Sequence, residues 1–309
     1  MNSILNEICK DFSIEKNFIK HKDFGKFAKI NDSENQIKES FKNIIYSQYY
    51  CLEKTKHTTQ LTDIAFLNQL SSIQLNNKYL DGGWKVVEIV NQDIIKVAKN
   101  NICLTVDLKK GTLLNEIPKI NQSIEILFSC HFPNVSPGFY LYKSKKGDTG
   151  FTGNLCRIYI NLKKKEAAIF AEKLMTCLNE EGIAFQFKIL QTLPSSKRID
   201  NSVLYFNKSD KKSVLKVVTK LYDNRYFNPI NSNFHLILFP GIGYAEEPLN
   251  NKDKNESYGT HRSKIIAESL HEQMFLEKKK TISPERIKEK FLEYGINSEK
   301  VYEEIEIII

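Results

Sequence analysis

Apolar residues change their spacing about a quarter of the way along this chain. Up to residue 80 they recur three or four apart, as in Phe41, Ile44, Ile45 and Tyr49, with no alternating stretch. That spacing is the stripe of a helix face, so 1–80 is expected to be a helical N-terminal subdomain. Asp81-Gly82-Gly83 is a turn signal, and the runs WKVVEIV, IIKVAK and NICLTVDLKK that follow are β-branched and spaced as a meander. Residues 124–147 offer two more strands around a Pro/Ser/Gly turn. LCRIYINL (155–162) is a further strand that sets Arg157, Tyr159 and Asn161 on one face.

Helical texture returns in KKKEAAIFAEKLMTCLNEEG (163–182), which is rich in helix formers and closed by Gly182. FQFKIL (185–190) and SVLYFN (202–207) read as strands and 211–222 as a helix. The order β-α-β-β-α predicts an α+β fold, a mixed and largely antiparallel sheet packed with helices, in one continuous unit over 81–309. Ser283 and Pro284 mark a helix start, as N-cap and first helical residue, and Gly295 its end. The final IEIII is either a last strand or a docked tail.

Composition narrows the function classes. The chain has 309 residues, 41% hydrophobic and 27% charged, which is globular in character. No apolar run reaches a membrane span, and MNSILNEICKDFSIEK has no signal-peptide h-region, so a cytoplasmic protein without a membrane partner is expected. Six scattered cysteines form no C-x-x-C pair and the histidines no H-E-x-x-H, so no metal is expected. The net charge of +8 comes from basic residues interleaved with acids, as in KSDKKSVLKVVTK, which reads as solvated helix faces rather than a nucleic-acid surface.

Residues able to do chemistry concentrate between Tyr140 and Arg262. Arg157, Lys188 and Arg198 sit in or beside predicted strands, where a cation projects to solvent or into a cleft. For Lys188 alone the solvent-facing reading is the plainer one. Ser257-Tyr258-Gly259-Thr260-His261-Arg262 precedes a helical stretch, and a helix N-terminus flanked by His261 and Arg262 is a natural phosphate site. The competing reading is that His261 caps or packs. Asp200, Glu246 and Glu247 are expected to pair with Arg198 or Arg262 and orient the guanidinium groups. Gly241 and Gly243 could bring backbone close to a ligand, although a lone G-x-G without a P-loop disfavours a kinase. Tyr159 and Tyr205 read as core, with a hydrogen bond to phosphate as the other reading, and Trp84 as an anchor of the first sheet strands.

The patches FYLYKSK, CRIYIN, FKIL with KRIDNSVLYF, PGIGYAEEP and SYGTHRSKIIAESL stand in an order that resembles the HopA-type type III effector family, and the resemblance extends to YLDGGWKVV (79–87). HopA-like proteins also accompany a kinase-like partner in thioamitide and class V lanthipeptide biosynthesis. There the kinase phosphorylates Ser or Thr of a precursor peptide, and the HopA-like protein eliminates the phosphate to leave dehydroalanine or dehydrobutyrine. The resemblance therefore implies a phosphoserine/phosphothreonine lyase that needs no cofactor.

Such an elimination requires a base for the Cα proton and cations for the departing phosphate. Lys188 is the candidate base, since neighbouring arginines favour the neutral amine, and Lys143 is its competitor. His261 would protonate the leaving group, and Arg157, Arg198, Arg262 and Lys143 would hold phosphate. Asp200, Glu246, Glu247 and Tyr159 would support them. The partners implied are a phosphorylated precursor peptide and a separate kinase, as a heteromeric complex. The alternative is a non-catalytic effector or phosphopeptide-binding module. A phosphatase ranks below both, because no Cys-x5-Arg loop occurs.

Overall fold

The computed structural model describes residues 2–53, 63–73, 77–147, 155–193, 197–247, 256–279 and 281–303. Chain order begins with α1 (Asn2–Asp11), β1 (Phe12–Glu15), β2 (Phe18–His21), β3 (Gly25–Lys29), α2 (Glu34–Ile45) and α3 (Ile64–Ser72). Then come β4 (Lys78–Ile89), β5 (Ile94–Lys99), β6 (Ile102–Asp107), the short α4 (Leu108–Gly111), β7 (Ser123–Ser129), β8 (His131–Ser136) and β9 (Phe139–Lys143). The remainder is β10 (Leu155–Ile160), α5 (Ala167–Glu180), β11 (Phe185–Leu190), β12 (Ser202–Asn207), α6 (Lys211–Leu221), β13 (Leu236–Phe239), β14 (Ile242–Glu246), α7 (Tyr258–His271) and α8 (Pro284–Glu293).

A seven-stranded antiparallel sheet, ordered β13-β14-β10-β12-β11-β9-β8, organises the molecule. Period-two alternation gives it two different faces. Cys156, Ile158, Ile160, Phe185, Phe187, Ile189, Leu204 and Phe206 pack one face against Phe170, Leu174, Met175 and Leu178 of α5 and Val214, Val217 and Val218 of α6. Each large side chain so buried contributes about 1.5–3 kcal/mol. The opposite face carries Tyr159, Val203 and Ala245, which join a second core built from α1, α2, α7 and α8. A third, small core around Trp84, Val86, Ile95, Val97 and Ile126 belongs to the four-stranded sheet β6-β5-β4-β7.

Local chemistry explains the element ends. Ser33 and Gln36 form a reciprocal capping box at the start of α2, and Ser283 caps α8 with Pro284 at its first position. Gly182 and Gly295 leave α5 and α8 with positive φ, of 64° and 72°. The α+β class with antiparallel sheets is thus as expected. The strands at 185–190 and 202–207 fall where the pattern puts them.

Three expectations need correction. Residues 12–29 are not helical: β1, β2 and β3 form a three-stranded antiparallel sheet whose strands are too short to show a periodicity. Asp81-Gly82-Gly83 is not a turn but part of β4, where the pairing with β7 shifts between Asp81 and Trp84 and Gly83 takes a φ of 81°. It is a bulge, which the glycine permits. The boundary expected at residue 80 consequently falls inside a strand, and α2 packs on α7 while α1 packs on α8, so the N-terminal elements share a core with the C-terminal helices. The closing IEIII lies outside the described residues.

Candidate functional site

The second face of the large sheet is polar where the helical layer does not cover it. Cross-strand register sets Lys143 opposite Gln186, Gln186 opposite Tyr205, and Tyr205 opposite Arg157, in one row over four strands. The next row holds Leu141, Lys188, Val203 and Tyr159. Aromatic rings separate the cations. The Lys188 Nζ lies 4.6 Å from the Phe139 ring and 5.2 Å from that of Tyr205, and the Arg157 guanidinium is 5.2 Å from the same Tyr205 ring. Lys143 stands between Tyr79 and Phe132, at 5.6 and 5.7 Å. Aromatic faces hold a cation in place without neutralising it.

Arg157 is only 7% exposed. One terminal nitrogen donates to the Glu247 carboxylate and the other reaches the Tyr159 hydroxyl at 3.4 Å. Its Nε is buried with no hydrogen-bond partner among the described residues. A buried donor without an acceptor costs about 1–3 kcal/mol, so this atom marks a place where an anion would be favoured.

Toward the end of β10, Arg198 makes a forked pair with Asp200, Nε to Oδ1 at 3.0 Å and Nη2 to Oδ2 at 2.8 Å, and Nη2 also donates to the Tyr46 hydroxyl at 3.0 Å. Burial would raise the Asp200 carboxyl, but the charge and hydrogen bonds of Arg198, aided by His235 and Lys188, hold it below the usual carboxylate range. His235 completes the cluster. It stacks on Tyr159 with ring centroids 4.0 Å apart, and its Nε2 lies 3.1 Å from the Tyr50 hydroxyl. Burial, reinforced by Arg157 and opposed by Asp200, pushes its pKa down to about 3, so the ring is neutral.

A family model, that of the HopA1 effector protein family, matches residues 130–303. The chain belongs to this family. The matched span runs from the edge of β8 past the end of α8, so the HopA1 region contains the whole seven-stranded sheet and its cationic face. Two solved structures are similar in fold. The effector protein from Pseudomonas syringae pv. tomato strain DC3000 is 15% identical with a TM-score of 0.51, over 87% of this chain and 95% of that one. The effector protein from Pseudomonas syringae pv. syringae strain 61 is 17% identical, also with a TM-score of 0.51, over 87% and 94%. No curated protein matches the chain.

Within this HopA1 core the sheet brings together Arg157, Lys188, Lys143, Arg198, Asp200, Tyr159 and Glu247. It does not bring in the α7 pair. Arg262 is fully buried, its Nε donating to the Val301 carbonyl at 2.9 Å and its Nη1 2.9 Å from His261 Nδ1, while His261 lies edge-on to Tyr294 of the α8 end. Ser257 already caps α7, its Oγ accepting from the Thr260 N–H at 3.3 Å. His261 and Arg262 therefore brace the C-terminal segment, contrary to the expectation of a phosphate site there.

Glu246 also departs from expectation. It takes Lys208, at 3.2 Å, and the Tyr244 hydroxyl, at 2.8 Å, so it serves the α6 side of the sheet, while Glu247 pairs with Arg157 rather than Arg198 or Arg262. The close approach offered by Gly243 goes to His235 and not to a ligand, since a Cβ there would meet the His235 Cβ at 2.8 Å. Sequence reasoning missed His235, Tyr46 and Tyr50. Tyr46 and Tyr50 reach the site because α2 runs on into a π-helical turn over Tyr46–Tyr50, which stacks their rings 5.4 Å apart. A cluster of three tyrosines at 46–50 was the signal available.

Proposed function

We propose that this HopA1-family protein is a phosphoserine/phosphothreonine lyase acting in the cytoplasm on a precursor peptide phosphorylated by a separate kinase-like partner. The observation that carries this reading is the pairing of a half-buried lysine with a buried arginine over one tyrosine ring, where the arginine keeps an unpartnered donor. A phosphate brought to this row would supply the missing acceptor once the Arg157 side chain shifts toward it, with Lys143 in the same row and Arg198 nearer the end of β10 adding positive charge.

The chemistry is a β-elimination. Lys188 takes the Cα proton, the freed electron pair forms the Cα=Cβ double bond, and the Cβ–O bond breaks to release phosphate. The cations neutralise charge that grows on the leaving oxygen, and Glu247 and Asp200 fix the two guanidinium groups. Lys143 is the competing base, one row away on β9. His261 and Arg262 have no part at the reacting atoms in this scheme, because their contacts are with the C-terminal segment.

Mass spectrometry of a phosphothreonine peptide incubated with the purified protein tests the reading. Loss of phosphoric acid, with dehydrobutyrine at the modified position, is the expected result. Retained phosphate together with peptide binding would instead establish a phosphopeptide-binding module. Co-purification of a kinase-like protein from the same cells at gentle salt is the companion test of the heteromeric complex.

A further inference from the structure

Beyond the end of β10 the same sheet face opens into a hollow of about 470 Å3, lined among others by Lys163, Lys164, Lys197 and Arg198. Among the described residues, no Asp or Glu lines it. Its floor is a rigid carboxamide network. Asn201 and Asn228 each donate to the Asn161 side-chain oxygen, at 3.2 Å, and both also reach the Leu162 carbonyl. Asn161 in turn donates to the Ile230 carbonyl at 3.1 Å. Lys164 is drawn to Asp63 and Lys163 to the Asn224 carbonyl, but Lys197 has no ion pair among the described residues.

Arg198 belongs to both places. Its guanidinium pairs with Asp200, a carboxyl that Lys188 also helps to hold ionised, and its side chain lines the hollow. From the Arg157 row to Asn161 is four residues along the strand direction, and from the Lys188 row two. At about 3.3 Å per residue, an extended peptide covers that distance in roughly two to four positions.

We infer that this hollow is a specificity subsite for an acidic side chain of the substrate peptide, an aspartate or glutamate two to four positions from the phosphorylated residue. The inference rests on the lyase reading for the identity of the peptide, but it concerns binding and can be tested apart from turnover. A short carboxylate suits the site, since Lys163 and Lys197 line it beside the carboxamide floor.

The test uses the full chain and fluorescent phosphothreonine peptides that carry either Asp/Glu or Asn/Gln at the two-to-four positions on each side. Binding is read by anisotropy and elimination by mass spectrometry on the same samples. The acidic peptides are expected to bind roughly fivefold tighter than the neutral ones for each lysine engaged. A Lys163→Ala/Lys197→Ala double variant, altered only at the rim, should lose that advantage while binding the neutral peptides like the wild type. Equal binding of acidic and neutral peptides by the wild type overturns the subsite, as does an acidic preference that survives in the double variant. Absence of elimination from every peptide sinks the lyase reading and leaves the binding arm to decide the subsite.

Discussion

Arg157 and Arg262 look alike in the sequence, each a cation inside a motif that also holds a tyrosine, and both end up buried. Their surroundings differ. Arg262 directs its Nε to a backbone carbonyl of the C-terminal segment, lies beside His261, and stands 4.7 Å from the Tyr258 ring. Arg157 is fixed by Glu247 and Tyr159 at its terminal nitrogens yet retains a donor without a partner among the described residues. The first arginine closes a structure, and the second leaves a valence open. Burial of a charge is thus uninformative about function until its hydrogen bonds are counted.

The contrast is sharpened most by removing Lys188, which shares the Tyr205 ring with Arg157. Lys188→Ala is expected to lower elimination by about a hundredfold to ten-thousandfold, the range for loss of a general base, with little change in unfolding midpoint. Lys143→Ala serves as the control, and a larger loss from it would move the base to β9.

Arg262→Met should do the reverse. It removes one of the two donors to the Val301 carbonyl, the other being the Tyr258 hydroxyl at 3.1 Å, and the hydrogen bond to His261, so urea unfolding should show a loss of about 2–4 kcal/mol, against a smaller loss for Arg157→Met, whose partner Glu247 can be hydrated. Comparable stability losses for the two would erase the distinction drawn between them.

The neutral His235 sets a pH dependence with a definite sign. Its folded pKa, near 3, lies below the ordinary histidine value, so below about pH 6.5 the unfolded chain takes up a proton that the native ring refuses. Stability is present in full above pH 6.5 and falls with decreasing pH by about 1.4 kcal/mol per unit for this residue, down to about pH 3. His235→Gln should flatten the decline measured by thermal unfolding between pH 6.5 and 5. An unchanged slope would mean that the ring is solvated.

The smallest expected effect comes from Gly259, where α7 passes Tyr50. A Cβ would lie 2.4 Å from the Tyr50 ring, so Gly259→Ala should cost about 1–3 kcal/mol and disturb the stack with Tyr46. Full stability in that variant would show that Tyr50 can move aside.

Legibility followed length and periodicity. The helices α5, α6 and α8 and the strands β10, β11 and β12 could be read because each shows a sustained pattern and most are flanked by clear stop signals. The sheet at 12–29 could not, since four- and five-residue strands between charged turns carry too few positions for a period to emerge. Arg157 and Lys188 were legible as cations breaking an apolar strand. Asp200 was legible as the partner of Arg198, since the two are separated by a single residue. His235 was not, because its neighbours Tyr159 and Tyr50 lie 76 and 185 positions away in the chain.

By itself, the sequence determined the α+β class, most of the central sheet and its flanking helices, and which strand residues would share a face, because spacing along one chain is a local property. The tertiary structure alone decided that β10, β11, β12 and β9 lie in a register that aligns Lys143, Gln186, Tyr205 and Arg157. It alone decided that Glu247 rather than Glu246 meets Arg157, and that the His261-Arg262 pair turns away toward Val301. The reason is physical: a side chain's role depends on which acceptors surround it, and those acceptors come from segments that only folding brings together.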